Sequence, residues 1–151
     1  LVLSGAVLLV THRFVEHWND SGLIGLDNVR PVQITRVRSH RKMKAAVPAY
    51  YFARANTGTT AIDLEASEFE HEGQVCSACR LGDVLKRWKR IVIEESTWSG
   101  ADMFVPRGLP SSIFVTQRVV ELVERRKLLN ASFIPAESFA RDYYPWELRS
   151  E

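Results

Sequence analysis

The residues with the most distinctive chemistry are Cys76 and Cys79, which stand in the motif Cys-Ser-Ala-Cys. Two cysteines at this spacing can direct both thiolates at one metal ion, although a structural zinc site needs four ligands. His71 stands a little upstream and is a third candidate ligand. The flanking residues lack the strand-to-helix context of a thioredoxin-like redox motif. We therefore consider three interpretations of the motif: a structural zinc half-site, two free thiols, or a redox pair.

Other arrangements that would indicate an enzyme are not found in the sequence. His12 and His17 flank Glu16, but residues five apart point roughly 140° from each other on a helix. The two histidines of a zinc metalloprotease helix are four apart, so we expect His12 and His17 to be surface residues. The sequence contains no nucleophile elbow, P-loop or dinucleotide fingerprint. We predict that the chain is not an enzyme.

Charge is concentrated in two short runs. The chain has 20 Lys and Arg against 18 Asp and Glu, so its net charge of +2 does not indicate a nucleic-acid or membrane partner. The two runs could neutralise each other within the fold, or each could face a partner. The basic run, residues 36–44, contains Arg36, Arg38, Arg41, Lys42 and Lys44. The acidic run, residues 63–72, contains Asp63, Glu65, Glu68, Glu70 and Glu72.

Length and composition indicate one globular domain over residues 1–151. With 46% apolar and 25% charged residues, the chain has ordinary globular composition. The apolar run Leu1–Val10 is too short to cross a bilayer, which needs about 20 residues. We interpret it as a strand and expect a natural N-terminal portion to be missing. Two cysteines do not form a disulfide scaffold, which favours a reducing, cytoplasmic setting.

Two segments of the chain resemble each other. Residues 10–29 match residues 115–134 at six positions, where unrelated segments would share about one. In each copy a threonine, Thr11 or Thr116, precedes apolar residues at helical spacing. We predict that each threonine hydroxyl caps the first turn of a helix. The apolar residues are Phe14, Val15 and Trp18 in the first copy and Val119, Val120 and Val123 in the second.

Each predicted helix is followed by a turn and then by extended chain. The helices should end near Gly22 and Lys127, and Gly25 and Asn130 then occupy equivalent positions. Glycine and asparagine are the residue types that best tolerate positive φ. Extended structure is predicted over Asn28–Thr35 in the first copy and Ala131–Phe139 in the second, which makes each copy a strand–helix–strand unit.

The sequence predicts a strand-rich segment between the two copies. We predict extended structure at Ala49–Ala55, Ala61–Leu64 and Arg90–Glu94, and a short helix over Leu81–Lys89. The predicted fold class is α+β (α/β-like). It is a single domain in which two strand–helix–strand copies, about residues 1–40 and 105–145, flank additional antiparallel strands and the CxxC motif.

Several of these motifs together resemble a known family. The motifs are Cys76–Cys79, Trp98–Phe104, Ile113–Glu121 and Phe133–Pro135. They are similar to the C-terminal half of the double-CXXCG motif proteins, a bacterial family that includes immunity proteins against toxins. Arg80 stands where the family motif has glycine, and the family's first CXXCG motif would lie upstream of Leu1. Within Trp98–Phe104 we predict a turn in which Asp102 bonds its own backbone.

The resemblance implies a non-catalytic immunity protein that binds a cognate toxin, with zinc as a possible structural cofactor at Cys76 and Cys79. The alternative is a zinc-ribbon-like module that binds nucleic acid through residues 36–44. The tail Tyr143–Trp146 places three aromatic side chains beside a proline, and these could cap the core or anchor an interface. The candidate partner-binding residues are Arg36, Arg38, Arg41, Lys42, Glu68, Glu70, Glu72 and Trp146.

Overall fold

The computed structural model describes Val2–Leu3, residues 7–36 and residues 47–142. Two helices, α1 (His12–Asp20) and α2 (Gln117–Arg125), are combined with short antiparallel strands and two 3₁₀ turns, Glu95–Thr97 and Ala136–Ser138. This architecture confirms the predicted α+β class. The strands are β1 (Val2–Leu3), β2 (Val7–Thr11), β3 (Leu26–Val32), β4 (Tyr50–Ala55), β5 (Glu70–Glu72), β6 (Val84–Arg87), β7 (Met103–Phe104) and β8 (Phe114–Val115).

The strands form one four-stranded sheet and two ribbons. The sheet has the order β1-β2-β4-β3, and all its neighbours are antiparallel. The predicted strand at Ala49–Ala55 is therefore confirmed as β4, which lies between β2 and β3. The ribbons are β5–β6 and β7–β8. The other two predicted extended segments, Ala61–Leu64 and Arg90–Glu94, contribute isolated bridges instead of strands: Ile62 pairs antiparallel with Ile93, and Ala61 pairs parallel with Arg107.

The two helices begin and end at equivalent positions of the two copies. Thr11 caps α1 as predicted, because its Oγ1 accepts a hydrogen bond from the Phe14 amide at 3.3 Å. Thr116 is the N-cap residue of α2 by position, but its side chain makes no capping bond. The predicted capping bond at Thr116 is therefore wrong, since its hydroxyl lies 2.8 Å from the carboxylate of Asp102.

Both helices are followed by two residues with positive φ, of which the sequence comparison predicts the second, Gly25 or Asn130. After α1 these residues are Gly22 (φ 61°) and Gly25 (φ 106°). The equivalent residues after α2 are Lys127 (φ 51°) and Asn130 (φ 67°). A left-handed residue after a helix turns the chain away from the helix axis. The matching backbone angles give both copies the same exit from the helix.

The two copies differ after this turn. In the first copy the chain continues as β3, which pairs with β4. In the second copy residues 131–135 form no strand, and Ala136–Ser138 is a 3₁₀ turn, so the strand predicted at Ala131–Phe139 is wrong. A strand requires a hydrogen-bonded neighbour, and the described residues place no strand beside residues 131–135.

The short helix predicted over Leu81–Lys89 is also wrong. Residues Val84–Arg87 form β6, which pairs antiparallel with β5. The spacing of Leu81, Leu85 and Trp88 fits a helix locally, but cross-strand ion pairs with Glu70 and Glu72 favour the ribbon.

Two hydrophobic cores hold these elements together. The first core joins both helices to the four-stranded sheet and β7, and the second core lies under the β5–β6 ribbon. No helix in the described ranges is long and apolar enough to span a membrane. The first core contains Trp18, Leu23, Ala55, Met103, Val105, Val119 and Leu122. The second core contains Ile62, Trp88, Ile91 and Leu109.

Candidate functional site

The two cysteines lie in a tight, exposed turn between β5 and β6. The Cys76 amide donates to the Leu81 carbonyl at 2.8 Å, and the Arg80 amide donates to the Cys76 carbonyl at 2.8 Å. Both thiols are free and exposed. Hydrogen bonds from the backbone and the thiol of Cys79, and from the backbone of Ala78, lower the pKa of the Cys76 thiol below its usual value. Such bonds stabilise a thiolate.

Arginine side chains fix this turn to the rest of the fold. Arg80 has a positive φ of 59°, which is the conformation that glycine would adopt most easily. Its guanidinium donates to the Ile62 carbonyl at 2.5 Å and pairs with Glu94. Arg107 donates to the Ala78 carbonyl at 3.0 Å from another part of the chain. The CxxC turn is thus held by hydrogen bonds to the second core and its surroundings.

The residues around the cysteines do not complete a structural zinc site. Such a site needs four ligands. In the described parts of the chain, no three His, Cys, Asp or Glu side chains are placed to hold one metal ion. His71, the third candidate ligand, packs against the Phe69 ring with centroids 5.7 Å apart. Burial lowers the pKa of His71. The geometry fits a dithiol, and zinc at Cys76 and Cys79 stays a prediction.

Three carboxylates of the acidic run pair with a basic segment that the sequence analysis did not single out. Glu70 pairs with Arg87 at 2.6 Å, and Glu72 pairs with Lys86 at 3.5 Å across the β5–β6 ribbon. The sequence contains a signal for this pairing, namely the spacing of the basic residues within 86–90, because facing strands bring opposite charges together.

Glu68 belongs to the same set of ion pairs. It lies 2.5 Å from the Lys89 ammonium and 3.9 Å from the Arg90 guanidinium. The hydrogen bond from Lys89 is the main reason why the pKa of Glu68 is lowered. A role of Glu68, Glu70 and Glu72 in toxin contact stays a prediction.

The basic run lies largely outside the described residues. Arg36 is exposed and lies in the described range. Arg38, Arg41, Lys42 and Trp146 lie outside it, so their proposed contacts stay predictions. The nucleic-acid alternative depends on this run and stays a prediction with them.

A buried carboxylate connects the two copies. Asp102 is only 2% exposed. It accepts hydrogen bonds from the Ile24 amide at 3.1 Å, the Thr116 hydroxyl at 2.8 Å and the Arg118 guanidinium at 3.0 Å. These donors come from the turn after α1 and from the start of α2. Asp102 therefore bonds across the domain, contrary to the prediction that it bonds its own backbone.

A groove of about 980 Å³, lined by both apolar and polar residues, lies beside α2 in the second copy. Its walls are β8, one side of α2 and residues 131–137. Phe133 and Ile134, two of its lining residues, are 38% and 64% exposed, and nearby Leu129 is 84% exposed. No backbone hydrogen bond joins residues 131–134 to another described part of the chain. We name this feature the α2 groove.

The sequence analysis missed the α2 groove because it assigned residues 131–139 to a paired strand. The signal was the density of large apolar residues between Leu128 and Ile134 without helical or alternating spacing. Exposed apolar clusters of this kind are typical of protein interaction sites.

Comparison with known proteins identifies an immunity family. No curated protein is significantly similar to the chain. The family model described as "Immunity protein family (Imm11)" matches residues 28–138, a range that includes the CxxC turn, Asp102 and most of the α2 groove. This match confirms the immunity part of the resemblance, while the double-CXXCG motif and a missing N-terminal portion stay predictions. The chain belongs to the Immunity protein family (Imm11).

Proposed function

We propose that the chain neutralises a cognate bacterial toxin by binding it, without catalysing a reaction. The observation that carries this proposal is the family match over residues 28–138. An immunity protein of this kind occludes its toxin through a pre-formed surface, with fast association and slow release. The cytoplasm is the expected place of action, because free thiols such as Cys76 and Cys79 persist in a reducing compartment.

We assign the α2 groove as the main toxin-contact surface. A protein surface gains most binding energy from a few apolar anchors that lose contact with water. Phe133 and Ile134 lie at the groove wall and keep much of their surface exposed. A partner that covers them would gain about 25 cal/mol for each Å² of apolar surface buried.

The occupant that best fits the groove is an extended segment of the toxin. In the first copy, β4 lies between β2 and β3 and forms backbone hydrogen bonds with both strands. In the second copy, β8 and residues 131–135 are the equivalent elements and both line the groove, but β8 already pairs with β7. A partner strand with alternating apolar side chains could therefore add to the backbone of residues 131–134, as in other cases of strand addition. Glu124, Lys127 and Glu137 line the same groove and could fix its register.

The surface around the β5–β6 ribbon is the weaker candidate for toxin contact. Glu68, Glu70 and Glu72 already have basic partners within the fold. An acidic surface that attracts a basic partner would need carboxylates whose charge is not already compensated. We therefore rank the α2 groove above the β5–β6 ribbon as the toxin-contact surface.

The proposed function is tested by direct binding. The probe is the purified toxin encoded beside the gene for this chain, titrated calorimetrically with the full chain. We expect a one-to-one complex with a Kd at or below about 10⁻⁸ M, the range of tight, pre-formed interfaces. Absence of any measurable complex would refute the proposed function.

The groove assignment makes a separate prediction. Replacing Ile134 with arginine should weaken toxin binding at least about tenfold, because a charge enters an apolar contact. The matched control is Val84→Arg, since Val84 is 45% exposed on β6 and does not line the groove. The free energy of unfolding of both variants should lie within about 0.5 kcal/mol of that of the unmodified chain, as is usual for substitutions at exposed positions. Equal affinity of the two variants would rule out the groove as the contact surface and leave the immunity role intact.

A further inference from the structure

We propose that the toxin segment in the α2 groove is acidic at one end, and that Arg13, Arg126 and Lys127 bind its carboxylates. We name these three residues the basic end of the groove. The inference rests on the proposed toxin binding at the α2 groove and adds the charge and the direction of the bound segment. The partner it describes is an extended peptide with apolar side chains and a cluster of Asp or Glu at one end.

The three basic residues come together at the C-terminal end of α2. Lys127 lines the groove and directly follows Arg126, the C-cap residue of the helix. Arg13 belongs to α1, and its Nη2 donates to the Arg126 carbonyl at 2.6 Å. All three residues are exposed. A guanidinium from the first copy therefore lies next to two basic residues of the second copy, where the groove begins.

The charge of the basic end is not compensated within the part of the chain that the structure describes. No ion pair there includes Arg13, Arg126 or Lys127. The neighbouring Arg125, in contrast, pairs with Glu121 at 3.9 Å, and the basic residues of β6 pair with carboxylates of β5. Basic side chains without a carboxylate inside the fold can pair with carboxylates of a partner.

Stabilisation of the helix end does not account for these side chains. Basic residues near a helix C-terminus can bind its last carbonyl groups. In α2 the backbone amides of residues 126–128 already donate to carbonyls of the last turn, and Arg13 donates to the Arg126 carbonyl. The side chains of Arg126 and Lys127 are therefore available to a partner.

Acidic residues near the basic end are fewer than the basic ones. Glu124 lines the groove one turn before Lys127, and Glu16 of α1 contacts His12 at 3.1 Å. Neither glutamate forms an ion pair with the basic end in the described ranges. The groove beside the basic end thus presents three positive charges and the one negative charge of Glu124.

A second carboxylate gives the bound segment a direction. The groove wall of residues 131–137 starts shortly after Lys127 and ends at Glu137, on the turn Ala136–Ser138. A carboxylate of the partner is attracted by the basic end and repelled by Glu137. The segment should therefore bind with its acidic end beside Lys127.

The experiment measures association rates by stopped flow between the full chain and the purified toxin encoded beside its gene. The association rate constant should fall at least about tenfold between about 0.02 and 0.3 M NaCl, because salt screens the attraction. Lys127→Glu should lower the rate constant at low salt about tenfold. Glu124→Gln should raise it about twofold, because a negative charge beside Lys127 is removed. A loss of folding cannot speed association, so this increase separates charge from stability.

The matched control is Arg54→Glu, which changes the net charge by the same amount as Lys127→Glu. Arg54 is exposed on β4 and does not line the groove. This variant should change the rate constant by less than about twofold. Equal rate constants for Lys127→Glu and Arg54→Glu, or slower association of Glu124→Gln, would overturn the inference and leave toxin binding intact. Absence of any complex with the unmodified chain would instead refute the proposed function, and this inference with it.

Discussion

Replacing Gly25 with alanine should lower the free energy of unfolding by about 3–5 kcal/mol, since it combines backbone strain with overpacking. Gly25 has a φ of 106°, a conformation that residues with a Cβ rarely adopt. A Cβ at this position would lie 2.1 Å from the Met103 carbonyl oxygen, far inside van der Waals contact. The obstacle is backbone of β7, which cannot rotate aside as a side chain could.

The surrounding hydrogen bonds explain why the backbones approach so closely at Gly25. The Ile24 carbonyl accepts from the amides of Asp102 and Met103, and the Gly25 carbonyl accepts from the Asn56 amide. Moving Gly25 away from β7 would break these bonds. The clash therefore cannot be relieved without loss of the contact between the turn after α1 and β7.

Gly22 provides the matched control for this prediction. It also has a positive φ, 61°, but no atom lies within 4 Å of a Cβ built there. Gly22→Ala should therefore carry only the conformational penalty, about 1 kcal/mol. Urea unfolding of both variants measures the difference. A similar loss of unfolding free energy in the two variants would mean that the close approach of Gly25 to Met103 does not contribute to the effect of the Gly25 substitution.

Replacing Asp102 with alanine should also lower the free energy of unfolding, by about 2–4 kcal/mol, because an interior amide and hydroxyl lose their acceptor and the half-exposed Arg118 loses its partner. The change leaves the Ile24 amide, the Thr116 hydroxyl and the Arg118 guanidinium without their common acceptor. Unpaired donors in a water-poor site are expensive. Because these donors come from both copies, the loss should loosen the contact between α1 and α2.

A surface ion pair provides the comparison for Asp102. Glu121 pairs with Arg125 one turn along α2 at 3.9 Å, and both side chains are well exposed. Glu121→Ala should change stability by less than about 0.5 kcal/mol. Thermal and urea unfolding of both variants give the two values. If Asp102→Ala were as mild as Glu121→Ala, the carboxylate would not be the connection between the copies.

The features that the sequence predicted correctly are local ones. The Thr11 cap, the ends of both helices and the positive φ of Gly25 and Asn130 all depend on residues within one or two turns. Local propensities determine such features, so a single sequence carries them.

The features that the sequence did not predict depend on distant residues. The segment Leu81–Lys89 has helical spacing, but its conformation is decided by pairing with β5. Asp102 bonds Ile24, which is remote along the chain, so nothing next to Asp102 indicates its role. The α2 groove lies beside residues 131–135, with which no strand in the described ranges pairs, and strand pairing is a property of the assembled fold. The same holds for the pairing of the acidic run with residues 86–90.

These features together describe a rigid support for a binding surface. Asp102 joins the two copies, Gly25 packs the turn after α1 against β7, and α2 extends from this junction to the groove. A surface held by such contacts changes little on binding, which keeps the entropic cost of complex formation low. Arg80 and Arg107 attach the CxxC turn to the second core and its surroundings. Different residues therefore hold this turn and the α2 groove.

The central claim, neutralisation by binding, is tested most directly by a mole-ratio titration of toxin activity. The adjacent gene's toxin is held well above the Kd, and increasing amounts of the full chain are added before activity and intact toxin mass are measured. We predict a linear fall in activity that ends at one chain per toxin, with the toxin mass unchanged. Complete inhibition by far fewer chains than toxin molecules, with an altered toxin mass, would contradict it.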